Sequence, residues 1–420
     1  MTTYNKCFIG GTALMADKGI YRDRDGGLTL GHRQPVAQAR KKLNLNFKSI
    51  RHGVDRPFLI LILALLGFGV LMMFSASYAW GLNDMGDGYY YARKQLTFAG
   101  IGLVGMLVAS VWDYHFFQNT WVCYIFYIVM YGVCIYAAFF GSATADASRW
   151  IDLGFVQFQP SELLKVAFIM IFAYIMAVNF PKFDHWKYCV IPFTVIMGLT
   201  VVVLALQRHL SAVMIIGVIG VSMMFVSGMP AKTFWKFMGI LALVAVIGFV
   251  GLTLIGKFSY IQDRIISWRN PEGDIQDTTW QTYNSLLAIG SGGWFGLGFG
   301  ESKQKFLYLP EAQNDFVFAV ICEELGFVGA LVVVVLFVLF VLRGFYIAAN
   351  AKDRFGMLVA AGITIQIGLQ AFLNIMVASN AIPNTGISLP FFSYGGTALI
   401  IQLAEMGILL NISRQGNIKK

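Results

Sequence analysis

Long apolar runs follow one another along this chain with only short polar interruptions, and they decide what it can fold into. A helix needs roughly 20 mainly apolar residues to cross about 30 Å of hydrocarbon. About ten segments meet that length: 57–79, 95–112, 118–140, 161–179, 188–206, 210–228, 233–255, 316–343, 355–378 and 395–412. They cannot be the cores of soluble domains, because 13% charged residues against 57% hydrophobic is too little charge to cover a 420-residue soluble surface. The sequence predicts an all-α polytopic membrane protein of about ten transmembrane helices, with a long extracytoplasmic loop between helices 7 and 8.

The formal net charge of +9 does not indicate a nucleic-acid partner. Lys182, Lys187, Lys232, Lys236, Arg343, Lys352, Arg354, Arg414, Lys419 and Lys420 all fall on one side of the bilayer if the N-terminus is cytoplasmic. That is the positive-inside pattern, and an even number of spans then puts both termini inside. Residues 1–56 read as an uncleaved, disordered cytoplasmic tail whose basic end, Arg40 to Arg56, suits anionic headgroups. Residues 57–414 form the membrane domain, with 257–315 as its outer loop, and 415–420 form a short cytoplasmic tail. Five cysteines in no disulfide or metal-binding spacing read as small apolar filler.

Charge inside a bilayer is costly, so ionisable residues at span ends are the first candidates for function. The fourth span opens with "QPSELLKVA", where Pro160 suits a first helical turn and Glu162 and Lys165 share a face at i, i+3. They can form an ion pair or hold a shared ligand. Just upstream, "ASRWIDLG" brings Arg149 to the same boundary, and Arg149 with Lys165 has the chemistry of a diphosphate clamp. "LQRHLSA" puts Arg208 and His209 in a tight turn, and Gln366, Gln370 and Asn374 draw a polar stripe along the ninth span. Helix–helix hydrogen bonding explains that stripe as well as a substrate path does.

The loop near 257–315 is rich in charge, including Glu272, Asp274, Asp277 and Asp315, which in a loop this long points to function. Its middle, "LLAIGSGGWFGLGFG", suits a re-entrant or interfacial segment. It lacks the Gly-Lys-Ser/Thr of a nucleotide phosphate loop. The stretch "NTGISLPFFSYGGT", Asn384 to Thr397, carries helix-breaking Pro390, turn-forming glycines, and hydroxyls at Ser393 and Tyr394. With no charge of its own, it suits shaping a cavity wall or an architectural turn better than acid–base chemistry.

Three ordered motifs, "RWIDLGFVQFQPSELLK", "SLLAIGSGGWFGLGFGESKQKFLYLPEAQNDFVFAVICEELGFVG" and "ISLPFFSYGGT", resemble the SEDS family (shape, elongation, division and sporulation proteins) from about Asp55 to Arg414. "GESKQKFLYLPEAQNDF" and "AEMGILLNISR" are more similar to its division members than to its elongation members; a sporulation paralogue would look similar. The resemblance implies a peptidoglycan glycosyltransferase of the bacterial cytoplasmic membrane that polymerises lipid II on the outer face. Its implied partners are a class B penicillin-binding protein and other membrane proteins of the division machinery.

The family's catalytic carboxylate lies seven residues before a Gln that follows an aromatic residue. Trp280 and Gln281 fill those places, which implies Asp274. The local "DIQDTTWQ" departs from the family pattern, so Asp277 competes for the role; "QND" before Phe316 replaces a more usual His-Thr-Asp, and His209 stands where many members have Asp. The expected site is therefore Asp274 as general base, with Arg149, Lys165, Glu162, Arg208, Ser393 and Tyr394 around the diphosphate and Asp277, Gln281, Asp315 and His209 as further members. No cofactor is required; a divalent cation bridging Asp274 to phosphate is compatible with these acids, although three carboxylates over 272–277 are not a recognisable ligand set. A flippase or transporter of lipid II uses the same broken helices and buried charges, and a scaffold that only activates its partner would leave Asp274 dispensable.

Overall fold

The computed structural model describes residues 20–22, 28–30, 53–144, 147–152, 154, 157–183, 185–254, 265, 268–273 and 279–416. Asp274 and Asp277, most of the tail 1–56 and residues 417–420 lie outside the described residues. The chain divides into two units, Met1–Asn46 and Phe47–Lys420. In the first, β1 (Ile20–Arg22) and β2 (Leu28–Leu30) pair antiparallel, with Tyr21 opposite Thr29.

The second unit is helical. α1 is Arg56–Met85, α2 Tyr90–Val111, α3 Thr120–Phe140, α4 Pro160–Asn179, α5 Lys187–Leu206, α6 Leu210–Val226 and α7 Ala231–Leu254. After the outer loop come α8 (Trp280–Ser291), α9 (Val317–Ala349), α10 (Arg354–Ala378) and α11 (Gly396–Gln415). Every predicted span is helical along most of its length. Among the described residues, eight helices are long and apolar enough to cross a membrane; α6 is apolar but shorter, and α7 occupies the place of the seventh predicted span.

α4, α10 and α11 are the most enclosed helices, each 67% buried over its apolar window, whereas α2, α3 and α9 keep wide apolar faces outward. In lipid there is no hydrophobic force between helices, so close packing depends on small residues. α2 and α11 meet in this way: a Cβ at Gly407 would lie 2.4 Å from the Met106 carbonyl, and one at Gly102 2.5 Å from Leu403. Cys123, Cys134, Cys189 and Cys322 are free and buried.

Alternate helix ends collect at two poles. At one, Asp55 caps α1 through the Phe58 N–H and receives both arms of the Arg343 guanidinium at 3.0 and 2.8 Å. Beside it the turn Tyr114–Gln118 places His115 between two carboxylates, with Nδ1 2.7 Å from Asp113 and Nε2 3.0 Å from Asp353. Gln415 of α11 also donates to Asp113. Burial opposes a charge on His115, but the hydrogen bonds to Asp113 and Asp353 outweigh it and raise its pKa to about 9. A raised histidine pKa gives stability that is complete below the unfolded value near 6.5 and lost as pH rises through about 9. Unfolding in detergent between pH 7.5 and 10 should therefore show wild type losing about 1–2 kcal/mol that His115→Gln does not lose, after discounting for partial exposure. Parallel pH curves for the two proteins would remove the latch.

The opposite pole carries the connections. Between α3 and α4 the chain forms a small sheet that the all-α expectation did not include: β3 (Ser142–Thr144), β4 (Ala147–Asp152) and β5 (Gln157–Phe158), in that spatial order and antiparallel. Ser142 opposes Trp150 and Ile151 opposes Phe158, with a register shift after Ser142. Strands this short and irregular carry no alternating pattern to betray them in sequence.

α9 is broken at Gly326, whose φ of 66° and ψ of −165° are not helical. The segment after α8 pairs with that break: Leu297 and Gly298 N–H donate to the Glu323 and Glu324 carbonyls, and Phe327 and Val328 N–H donate to Gly293 and Trp294. A Cβ at Gly326 would sit 2.3 Å from the Gly296 nitrogen, so only glycine fits. Backbone is thus satisfied internally while Trp294 and Phe295 stand 71% and 82% exposed, which suits a segment lying at the membrane interface.

Candidate functional site

Local sequence explains how each polar side chain reaches this pole. Pro160 starts α4 because its missing N–H is not needed in a first turn, and the helix then presents Glu162 and Lys165 one turn apart. Their ion pair measures 2.8 Å, and Lys165 is only 2% exposed. β4 carries Arg149, whose Nη2 donates to the Arg208 carbonyl at 2.9 Å, fastening the sheet to the α5–α6 turn. A cavity of about 640 Å³ opens among these elements. Its wall includes Arg149, Glu162, Lys165, His209, Asp315 and Tyr394, contributed by five separate stretches of chain.

The predicted polar stripe on α10 has divided duties. Gln366 donates to Glu405 of α11 at 2.8 Å, and Asn374 donates to the Asp315 and Ile387 carbonyls, both at 2.7 Å. Between them Gln370 lines the cavity, its Oε1 buried without a hydrogen-bond partner among the described residues. The stripe is therefore both helix glue and cavity wall.

From Asn384 to Gly395 this stretch folds as irregular backbone against the outer loop, and Gly396 and Thr397 begin α11. Gly386, at φ 67°, lines the cavity, and a Cβ there would meet the Asp315 carboxylate at 3.4 Å. Tyr394 lines it too, its N–H donating to the Gln313 carbonyl, and burial pushes its phenol up to about 12. Ser393 is engaged elsewhere. Its hydroxyl accepts from the Leu389 N–H and donates to the Asn314 carbonyl, so it ties the turn to the loop and stands outside the cavity wall. Arg208 is exposed and contributes its carbonyl to Arg149. Gln281, in the first turn of α8, accepts from Asn384 at 2.8 Å and so holds the start of α8 beside this stretch. Asp315 belongs to the wall; Asp274 and Asp277 are outside the described residues.

Two groups escaped the reading of the sequence. Glu405 is fully buried in α11, electrostatically coupled to Lys165 and Glu162, with one carboxylate oxygen unpartnered among the described residues. A lone acid inside an apolar run was the signal that could have found it. The other is a buried cluster behind the outer loop. Glu324 accepts from Lys305 at 2.9 Å and from Ser75 at 2.6 Å, while Glu323 accepts from Ser302 and the Lys303 N–H. Together they fasten the loop to the broken end of α9.

The burial of His209 and the cations Arg149 and Lys165 force its pKa down to about 3, so the ring is neutral at ordinary pH. The wall thus offers cations at Arg149, Lys165 and Lys94, one neutral imidazole, carboxylates that include Glu162 and Asp315, and amide and hydroxyl groups, in a space large enough for a phosphorylated sugar headgroup.

Comparison with known proteins agrees with this architecture. The family model described as "Cell cycle protein", which groups FtsW, RodA and SpoVE, matches residues 56–418. A probable peptidoglycan glycosyltransferase FtsW from Geobacter sp. (strain M18) is 37% identical over 361 residues, covering 86% of this chain and 97% of the relative. Stage V sporulation protein E from Bacillus subtilis is 36% identical over 361 residues, with the same coverage. Among solved structures, a peptidoglycan synthase complex in which polymerisation and crosslinking are coordinated includes a chain that superposes with a TM-score of 0.69 at 24% identity, covering 86% of this chain and 98% of that one. The rod shape determining protein RodA of Thermus thermophilus gives 0.62 at 23% identity, covering 87% and 98%. On the match across nearly all of its membrane unit and on full-length relatives above a third identical, this chain belongs to the SEDS family of FtsW, RodA and SpoVE proteins.

Proposed function

We propose that this protein is a division-type peptidoglycan glycosyltransferase that polymerises lipid II on the outer face of the cytoplasmic membrane, with both termini cytoplasmic. The observation that carries the reading is the convergence of Arg149, Lys165 and Glu162 with Asp315 and Tyr394 on one cavity at the pole opposite the basic loops. The naming of relatives as peptidoglycan glycosyltransferases FtsW supports the activity and the division role. A structural neighbour that couples polymerisation to crosslinking supports a class B penicillin-binding protein as partner.

Lipid II carries its sugar on a diphosphate, already a good leaving group, so the reaction needs no nucleotide. An acceptor sugar hydroxyl attacks the donor anomeric carbon as Asp274 removes its proton. The bond from that carbon to the diphosphate oxygen breaks, its electron pair leaves with the diphosphate, and Arg149 and Lys165 neutralise the growing charge. Glu162 aims the Lys165 ammonium. One in-line displacement inverts an α-linked donor to a β-linked glycan.

The test is polymerisation of labelled lipid II in detergent, where there is no second side for transport, by full-length protein with its penicillin-binding partner. Asp274→Asn should lose at least about a hundredfold in rate while remaining folded and partner-bound, as expected when a general base is removed. Asp277→Asn should keep its ladders. Equal ladders from both would end the Asp274 mechanism, and no ladders from wild type would end the polymerase reading.

A further inference from the structure

The turn between α5 and α6 is built to hold one side chain in the cavity. Arg208 sits at φ 52°, a left-handed conformation that strains a residue with a Cβ. Its N–H donates to the Ala205 carbonyl and that of His209 to the Leu204 carbonyl, while Arg149 grips the Arg208 carbonyl from outside. Gln207 anchors the same turn to α3 through the Cys134 carbonyl at 2.8 Å. The imidazole of His209 is thereby fixed in the cavity wall, and its Nδ1 is closed off from solvent with no hydrogen-bond partner among the described residues. Leaving such a group unsatisfied costs about 1–3 kcal/mol, which a merely structural histidine would avoid by bonding a neighbouring carbonyl.

The charges around the ring decide what it awaits. α4 brings Glu162 and Lys165, already paired to each other; β4 brings Arg149; Arg208 precedes it in the turn. α10 contributes an amide at Gln370 and α3 a carbonyl that holds Gln207, while α11 brings the buried carboxylate of Glu405, which Gln366 bonds and which is coupled to Lys165. With no anion bonded to it among the described residues, burial and two cations keep the ring neutral. A diphosphate seated between Arg149 and Lys165 would bring two negative charges to the same place and reverse that balance.

We propose that His209 is a third ligand for the diphosphate of a lipid-linked sugar, taking up one proton from solvent as the diphosphate binds and returning it when the diphosphate leaves. The inference rests on the diphosphate reading given above and adds a ligand and a proton to it. It makes donor binding stronger as pH falls.

The probe is a short-chain polyprenyl-diphospho-disaccharide, a diphosphate diester whose two anionic oxygens stay ionised across neutral pH, so that any proton taken up belongs to the protein. Its binding to the full chain in detergent is measured calorimetrically from pH 6.5 to 8.5 in buffers of differing ionisation heat. Wild type should take up close to one proton per ligand at the acidic end and bind up to about tenfold more tightly per pH unit of acidification. His209→Asn should bind roughly tenfold more weakly at pH 6.5, with a flat pH profile and no His209-linked proton. If wild type and His209→Asn show the same proton count and slope while Arg149→Gln still weakens binding, the role of His209 is wrong and the diphosphate site stands. If neither Arg149→Gln nor Lys165→Met alters binding, the diphosphate reading falls together with this inference. A misfolded His209→Asn leaves the wild-type proton count to decide, and a count of zero overturns the proposal.

Discussion

Lys165→Met should reduce lipid II polymerisation by about a hundred- to a thousandfold, the loss seen when one preorganised charge-stabilising donor is removed from an active site. The ammonium is almost wholly enclosed, its partner Glu162 lies 2.8 Å away, and Glu405 feels its charge from α11. Truncating it does two things at once. On the proposed mechanism it deprives the leaving diphosphate of a cation, and it strands a buried carboxylate, which by itself costs about 3–5 kcal/mol of stability. The two effects separate in the double variant Lys165→Met with Glu162→Gln, which removes both charges. Its unfolding midpoint should return toward that of wild type, while its polymerisation stays as low as in the single variant. Glu162→Gln alone should lose less activity than Lys165→Met, because it loosens the aim of the ammonium without removing it. The measurements are glycan ladder rates and thermal unfolding of the same detergent preparations. A single variant that polymerises within threefold of wild type would take Lys165 out of the chemistry, and a double variant that recovers both stability and rate would make the pair purely architectural.

That Lys165 could be picked out from sequence follows from the cost of charge in lipid. In a chain so sparing of ionisable residues, a lysine and a glutamate at the head of an apolar run stand out, and so does Arg149 at the end of the preceding connection. The helices were legible for the same reason, since their apolar runs have the length a bilayer demands. What sequence could not give is who meets whom. Ser393 offered a hydroxyl beside the expected pocket, yet the turn it closes needs both its donor and its acceptor for Asn314 and Leu389. Gln366, Gln370 and Asn374 looked alike along one face, and only the approach of α11 and the outer loop sorted them into glue and wall. The sheet that carries Arg149 was invisible because its strands are two to six residues long and shifted in register. Glu405 was hidden differently: an acid deep in a span is conspicuous, but its meaning depends on Lys165 lying across from it on α4.

Glu324→Ala should destabilise the protein by about 3–5 kcal/mol, the cost of leaving a buried charge without its partner, and should do so through a region that never touches the cavity. Lys305 donates to Glu324, to the Ser75 hydroxyl and to the Gly300 carbonyl at 2.9, 3.0 and 2.6 Å, and both charged side chains are buried. Without the carboxylate the ammonium keeps two neutral oxygens and no counter-charge. The loop it holds runs on to Glu311, Gln313 and Asp315, which do line the cavity, and Glu311 already sits at a strained φ of 56°. Loss of the staple should therefore appear twice, as a lower unfolding midpoint and as faster limited proteolysis after Lys303 or Lys305 in otherwise folded protein. Glu324→Gln, which keeps an acceptor and removes the charge, should fall between Glu324→Ala and wild type. Replacing the pair together, Lys305→Met with Glu324→Leu, should recover most of the stability, since an apolar pair of similar volume has no buried charge to satisfy. An unchanged midpoint in Glu324→Ala would mean that the backbone pairing around Gly326 alone secures the loop. A midpoint that falls without any rise in proteolysis would confine the staple's effect to the packing of α1 against α9, where Ser75 sits, and leave the cavity's loop independently held.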